Sequence, residues 1–90
     1  MLKELGQLDE AISSYELAIK LRPDFAISHG NLASCYYDRG DMTTAIRIFK
    51  YAIQLEPNFP DAYNNLGNAL REIEEVDEAI NCYRSALRLK

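Results

Sequence analysis

Residues 45–57 read Ala-Ile-Arg-Ile-Phe-Lys-Tyr-Ala-Ile-Gln-Leu-Glu-Pro, a run of small, aromatic and branched apolar residues that ends on a proline. The same arrangement begins once earlier in the chain, at Ala11, and once later, at Ala79. The positions that recur in all three copies are Ala11/Ala45/Ala79, Ile12/Ile46/Ile80, Tyr15/Phe49/Tyr83, Ala18/Ala52/Ala86 and Leu21/Leu55/Leu89. The constant spacing, a period of about 34 residues, indicates a repeated supersecondary unit, of which the chain holds about 2.6 copies.

Each unit is predicted to be a pair of helices, most clearly in the middle of the chain. Residues 26–38 place their apolar side chains at helical spacing. Gly40 interrupts the pattern, and Asp41 is a residue type that caps the start of a helix. The second helix is predicted over residues 42–55 and stops before Pro57, because proline has no N–H to donate to the helix.

The third unit repeats this plan with its own start signals. Pro60 is predicted at the first position of a helix, where its missing N–H is not needed. The acidic pairs Asp9-Glu10 and Asp77-Glu78 are predicted in the first turns of their helices, because carboxylates favour the positive end of the helix dipole. No segment alternates as a strand does, so the fold class is all-α.

The ends of the chain and one turn depart from the ideal repeat. Met1–Leu5 is expected to be a stub of a preceding helix, which gives five full helices plus a stub. Glu74 stands where the middle unit has Gly40, so we expect the turn at residues 72–75 to be loosened or extended. The last helix, Val76–Leu89, is not followed by the polar capping helix that usually ends such arrays. We therefore expect the chain to be a piece of a longer array and to self-associate through the exposed apolar face of this helix.

Composition and charge exclude several classes of function. With 10 Lys+Arg against 14 Asp+Glu, the chain is not built to neutralise a nucleic-acid backbone. No apolar run is long enough to cross a membrane. Cys35 and Cys82 are far apart and His29 is the single histidine, so we expect no disulfide framework, no metal, no cofactor and no catalytic group. We expect a location inside the cell, in the cytoplasm, the nucleus or both.

The repeat resembles the tetratricopeptide repeat (TPR) family over nearly the whole chain. The residues that carry the resemblance are Ala11, Tyr15, Ala18 and Pro23 in the first part-unit, Leu32, Ala33, Tyr36, Ala45, Phe49, Ala52 and Pro57 in the middle unit, and Leu66, Gly67, Ala79, Tyr83 and Ala86 in the last. The resemblance implies a right-handed superhelix with a partial repeat at residues 1–25, a complete repeat at 26–59 and a nearly complete, uncapped repeat at 60–90. His29, Leu70 and Glu74 depart from the residues usual in the family. The first helix of each pair would line a concave groove.

The segments around Asn31 and Asn65 are also similar to the repeats of protein O-GlcNAc transferases, the plant form in particular. In that family the asparagine before the leucine grips the backbone of a peptide, which implies a peptide-binding role for Asn31 and Asn65. Asn64, Asn68 and Ser34 would flank the same groove. The resemblance implies a substrate-recruiting arm whose catalytic domain is not in this chain, so the chain itself is not expected to be an enzyme.

Other interpretations of these residues remain open. Each asparagine could be a solvated amide on a helix surface, and the chain could be a scaffold that packs against other subunits or a fragment with no function of its own. Some TPR proteins clamp the carboxylate of a chaperone tail with Lys and Arg. The corresponding positions hold Ile27, Gly30, Asp61 and Asn64, so a chaperone-tail adaptor is disfavoured.

Overall fold

The computed structural model describes residues 2–90, with side chains from residue 6 onward, and these residues form five α-helices and no strand. The helices are α1 (Leu2–Leu21), α2 (Ala26–Arg39), α3 (Met42–Leu55), α4 (Pro60–Glu72) and α5 (Val76–Leu89). Each helix packs against the next one along the chain, and α2 also contacts α4. This succession of helical hairpins is an all-α solenoid, as predicted.

The predicted end of α2 and start of α3 are confirmed in atomic detail. The Asp41 carboxylate caps α3 by accepting a hydrogen bond from the Thr44 N–H at 3.2 Å. Gly40 ends α2 in the left-handed conformation, with φ at 95°. The N–H groups of Gly40 and Asp41 donate to the carbonyls of Tyr37 and Tyr36 at 3.0 and 2.9 Å, which satisfies the last turn of the helix. Pro60 is the first residue of α4, also as predicted.

The turn between α4 and α5 corrects the expectation for Glu74. It adopts the left-handed conformation with φ at 66°, although it is not a glycine. Its N–H donates to the Arg71 carbonyl at 3.0 Å, and the N–H of Glu75 donates to the Leu70 carbonyl at 2.9 Å. These are the same two hydrogen bonds as at Gly40, one repeat later in the chain. The turn is therefore neither loosened nor extended, and the backbone strain falls on Glu74 instead.

The start of the chain corrects two further expectations. Met1 lies outside the described residues, and residues 2–5 continue into α1 through Gly6 rather than forming a separate stub. Asp9 and Glu10 consequently lie in the interior of α1 and not in its first turn. Asp9 forms an ion pair with Arg39 at the end of α2, so it interacts with a neighbouring helix and not with the dipole of its own helix. By contrast, the first turn of α5 does hold Asp77 and Glu78.

The core consists of small residues against which aromatic rings pack. Ala33, Ala45 and Ala52 are completely buried, and Phe49 is 1% exposed. Alanines at these points let the helix backbones approach closely, and the ring fills the remaining space. The other repeat positions in the core are Leu32, Leu66, Gly67, Ala79 and Ala86, whereas Ala11, Tyr15, Ala18, Tyr36 and Tyr83 are half-buried and Pro23 and Pro57 are exposed in turns.

Candidate functional site

An open cleft of about 310 Å³ lies between α2 and α4, which are the first helices of neighbouring units. We call it the α2–α4 cleft. It is lined by Ile27, Gly30, Asn31, Ser34, Phe49, Phe59, Asp61, Ala62, Asn64 and Asn65. It lies along the first helices of two neighbouring units, which is where the resemblance to the TPR family implies a groove.

Helical spacing and the repeat together bring these side chains into one cleft. On α2, Ile27, Asn31 and Ser34 are separated by one turn from each to the next, so they share one face of the helix. The residues one repeat later occupy the matching face of α4, which places Asn65 in the same cleft as its counterpart Asn31. Neither asparagine is required by the core, because the buried faces of α2 and α4 are formed by other residues.

The floor of the cleft depends on a glycine. A Cβ atom at Gly30 would lie 3.0 Å from Cζ and 3.3 Å from Cε2 of Phe59. Glycine therefore lets the Phe59 ring, which comes from the loop before α4, lie close against the α2 backbone. Phe49 of α3 completes the apolar floor. The sequence carried a signal for Phe59, since Phe25 holds the same position of the preceding unit, but the role of either phenylalanine in a site was not predicted.

Four of the five predicted peptide-binding residues line the cleft. Asn31 and Asn64 are exposed, and Asn65 and Ser34 are half-buried. Asn68 is not among the lining residues, and its Oδ1 atom accepts a hydrogen bond from the Tyr83 hydroxyl at 2.6 Å. Asn68 thus links α4 to α5.

The cleft amides are available to a ligand. Within the described part of the chain, none of the side-chain hydrogen bonds involves Asn31, Asn64 or Asn65. A carboxamide can donate to a peptide carbonyl and accept from a peptide N–H at the same time. The cleft can therefore recognise a main chain without reading the side chains.

The groups with potential for catalysis serve the packing of the core. His29 is buried, its Nε2–H donates to the Pro23 carbonyl at 2.8 Å, and its ring meets Tyr51 edge-on at 5.0 Å. Cys35 and Cys82 are free and buried. Burial raises the pKa of both thiols, and the carboxylates of Asp38 beside Cys35 and of Glu78 beside Cys82 raise it further, which favours the unreactive thiol form.

The described part of the chain contains neither a cluster of metal-ligating side chains nor a membrane-spanning helix. Among residues 6–90, no three His, Cys, Asp or Glu side chains come together as metal ligands would. Each of the five described helices is too short or too polar to cross a membrane.

A second, more apolar groove of about 380 Å³ lies on the opposite side of α2, and the sequence did not predict it. Its floor is formed by His29 and Leu32, and its walls come from α1 and α3. The wall residues are Glu16, Ile19, Arg47, Ile48 and Tyr51. It lies between α1 and α3, which each pack against α2 and do not contact each other.

Helical hairpins that repeat at a constant spacing, with an open cleft between their first helices, define an α-solenoid repeat module. The chain belongs to the tetratricopeptide repeat family. A family model described as TPR repeat matches residues 1–38 and 33–72, and a second one, tetratricopeptide repeat, matches residues 60–90.

Two solved structures illustrate how this chain compares with known proteins. The crystal structure of MamA superimposes with a TM-score of 0.86 at 28% identity, covering 92% of this chain and 48% of that one. The first TPR of Spaghetti (RPAP3), bound to the HSP90 peptide SRMEEVD, superimposes with a TM-score of 0.91 at 26% identity, covering 97% of this chain and 69% of that one. This chain thus spans about half the length of MamA. No curated protein sequence matches it.

Proposed function

We propose that this chain is a protein-binding module that holds an extended peptide segment in the α2–α4 cleft. The observation that carries the proposal is that Asn31 and Asn65 line one cleft, while their side-chain amides make no hydrogen bond within residues 6–90. Two carboxamides on neighbouring helices can pair with successive peptide groups of an extended chain. The peptide-bound TPR of Spaghetti supports the proposal, since it has the same fold.

A narrower form of the proposal makes the chain part of the substrate-recruiting arm of a protein similar to O-GlcNAc transferase. It rests on the sequence segments around Asn31 and Asn65, which resemble that family. Recognition of the main chain by asparagines fits an arm that accepts many substrates. Sugar transfer would belong to another domain, so the chain alone would not turn over UDP-GlcNAc. The division into units at residues 1–25, 26–59 and 60–90 and a location inside the cell also remain proposals.

The experiment that tests the peptide-binding proposal is a titration followed by NMR. The probe is an end-capped version of SRMEEVD in which Gln replaces the arginine and Gln, Gln and Asn replace the three acidic residues, so that main-chain contacts dominate. Replacing Asn31 and Asn65 by alanine should weaken binding by about 1–3 kcal/mol, because each lost hydrogen bond is worth about 0.5–1.5 kcal/mol.

Asn81 supplies the matched control for this experiment. It is an exposed asparagine within α5 and does not line the α2–α4 cleft. Asn81→Ala should leave the affinity unchanged, and circular dichroism should show the same helicity for all variants. Equal affinity of the double variant and the parent chain would contradict the proposal.

A second candidate function is a scaffold, and it is favoured by the exposed apolar face of α5. Val76 and Leu87 are 51% and 74% exposed, and Ile80 is 41% exposed. Ile46 and Ile53, which are the counterparts of Ile80 and Leu87 in the middle unit, pack against the core where α4 adjoins α3. The equivalent face of α5 can therefore accept another helix, from a partner or from a second copy.

Light scattering over a range of concentrations tests this candidate. Ile80→Glu with Leu87→Glu should abolish association, because the charges would be buried at the contact. Leu21→Glu, at an exposed leucine of α1, is the control and should associate as the parent chain does. A strict monomer at high concentration would rule out self-association through α5.

A further inference from the structure

The α2–α4 cleft carries negative charge and no positive charge among its lining residues. Of its ten lining residues, Asp61 alone carries a charge, and the others are amides, a hydroxyl, or small and apolar groups. Asp61 is exposed in the first turn of α4, immediately after Pro60. A ligand in this cleft therefore meets a carboxylate and no opposing cation from the lining.

The far end of the same helix faces is also acidic. Asp38 follows Ser34 by one helical turn on α2, and Glu72 lies in the last turn of α4; both are exposed. Residues one turn apart share a helix face, so Asp38 extends the stripe that lines the cleft. The basic residues of α2 and α4 are Arg39, which pairs with Asp9 of α1, and Arg71. Among residues 6–90, Arg71 has no ion-pair partner, and the three carboxylates of Asp38, Asp61 and Glu72 outnumber it along this surface.

The apolar part of the cleft lies beside the carboxylate. Ile27 is 52% exposed, and the half-buried Phe59 ring forms the floor against Gly30. Ile27 and Asp61 occupy equivalent positions of neighbouring units, one repeat of 34 residues apart. The two units thus offer one apolar and one acidic contact at the same level of the cleft.

We propose that the cleft selects an extended segment with a Lys or Arg side chain beside Asp61 and an apolar side chain on Ile27 and Phe59. This inference rests on the proposed function, because it assumes that the cleft binds a peptide. An acidic tail is disfavoured, since its carboxylates would approach Asp61 and lose hydration without a cation to replace the water. The selection would thus be opposite in sign to the acidic peptide that the TPR of Spaghetti binds.

Three end-capped peptides of equal length test the selection. They are versions of SRMEEVD in which Gln replaces the arginine and the three acidic residues are kept, replaced by Gln, Gln and Asn to give a neutral peptide, or replaced by three lysines. At low salt the lysine peptide should bind most tightly and the acidic peptide most weakly, with steps of about two- to fivefold, as exposed ionic contacts give. Raising the ionic strength should narrow the differences.

Substitutions at Asp61 then assign the effect to one carboxylate. Asp61→Asn should weaken the lysine peptide by about two- to fivefold and leave the neutral peptide unchanged, and Asp61→Lys should reverse the ranking. Asp77 is the matched control, because it is also the second residue of its helix, α5, and lies outside the cleft lining. Asp77→Asn and Asp77→Lys change the same interaction with a helix dipole, so they should leave the ranking intact.

The results distinguish the selection of basic peptides from peptide binding itself. Equal affinity for the three peptides, or equal effects of the Asp61 and Asp77 variants, would overturn the selection while peptide binding stands. Failure of all three peptides to bind would overturn both.

Discussion

Replacing Glu74 with glycine should stabilise the protein, because the turn between α4 and α5 forces this residue into a conformation that suits glycine. Its φ is 66°, and the equivalent residue of the middle unit is Gly40 with φ at 95°. The Glu74 side chain is exposed, and the hydrogen bonds of the turn involve its backbone. The substitution therefore removes the strain at the Cβ atom and keeps the turn.

The expected gain is the difference between two backbone effects. A left-handed conformation costs a residue with a Cβ atom about 1–2 kcal/mol. Glycine loses about 0.5–1 kcal/mol more in conformational entropy when it is ordered. With the middle of each range, the net stabilisation is about 0.75 kcal/mol, which for a chain of this size raises Tm by about 3–6 °C.

Thermal and urea unfolding of three variants measure this effect. Glu74→Gln is the control, since it removes the charge near the end of α4 but keeps the Cβ atom, and Gly40→Ala imposes the same strain on the middle unit. We expect Glu74→Gly to raise Tm, Glu74→Gln to change it little and Gly40→Ala to lower it. If the glutamine variant gains as much as the glycine variant, charge and not backbone strain is the cause, and the reasoning is refuted.

Three other substitutions give distinct results in the same unfolding assays. Gly67→Ala should lower the free energy of unfolding by about 1–3 kcal/mol, because the alanine Cβ atom would lie 2.8 Å from Cε1 of Tyr83. An unchanged Tm would show that the Tyr83 ring moves away freely. Gly6→Ala should instead raise the free energy of unfolding by about 1 kcal/mol, because the alanine Cβ atom would meet nothing within 4 Å and alanine favours a helix. A loss of stability would contradict a continuous α1 through residue 6. Asp41→Ala should lower Tm at neutral pH. The hydroxyl and N–H of Thr44 lower the pKa of Asp41 in the folded state, so the capping stabilisation is present above the ordinary value of 3.8 and is lost as the pH falls through the lower folded value. The Tm difference between parent and variant should therefore shrink in acid, and a difference that is constant with pH would exclude this carboxylate as the cause.

Much of the candidate site could be predicted from the sequence because its residues depend on periodicity. Asn31 and Asn65 share one offset in the repeat, so they must lie on equivalent faces of successive helices. Asn68 shows where this reasoning ends. Its helix position is as predicted, but its acceptor is occupied by the Tyr83 hydroxyl, which comes from the following helix. The partner of a polar side chain depends on which ring the packing brings within reach.

The sequence by itself determined the class of fold, the helix pairs and most of their ends, since these follow from local residue types and the period. Local signals were insufficient at Gly6, because a glycine permits a turn without requiring one, and α1 continues through it. Only the tertiary structure decided that Asp9 pairs with Arg39, that Phe59 lies against Gly30, and that a second groove opens behind α2. These features depend on distances between helices, which are set by how side chains from different units fit together and not by the order of residues within one unit.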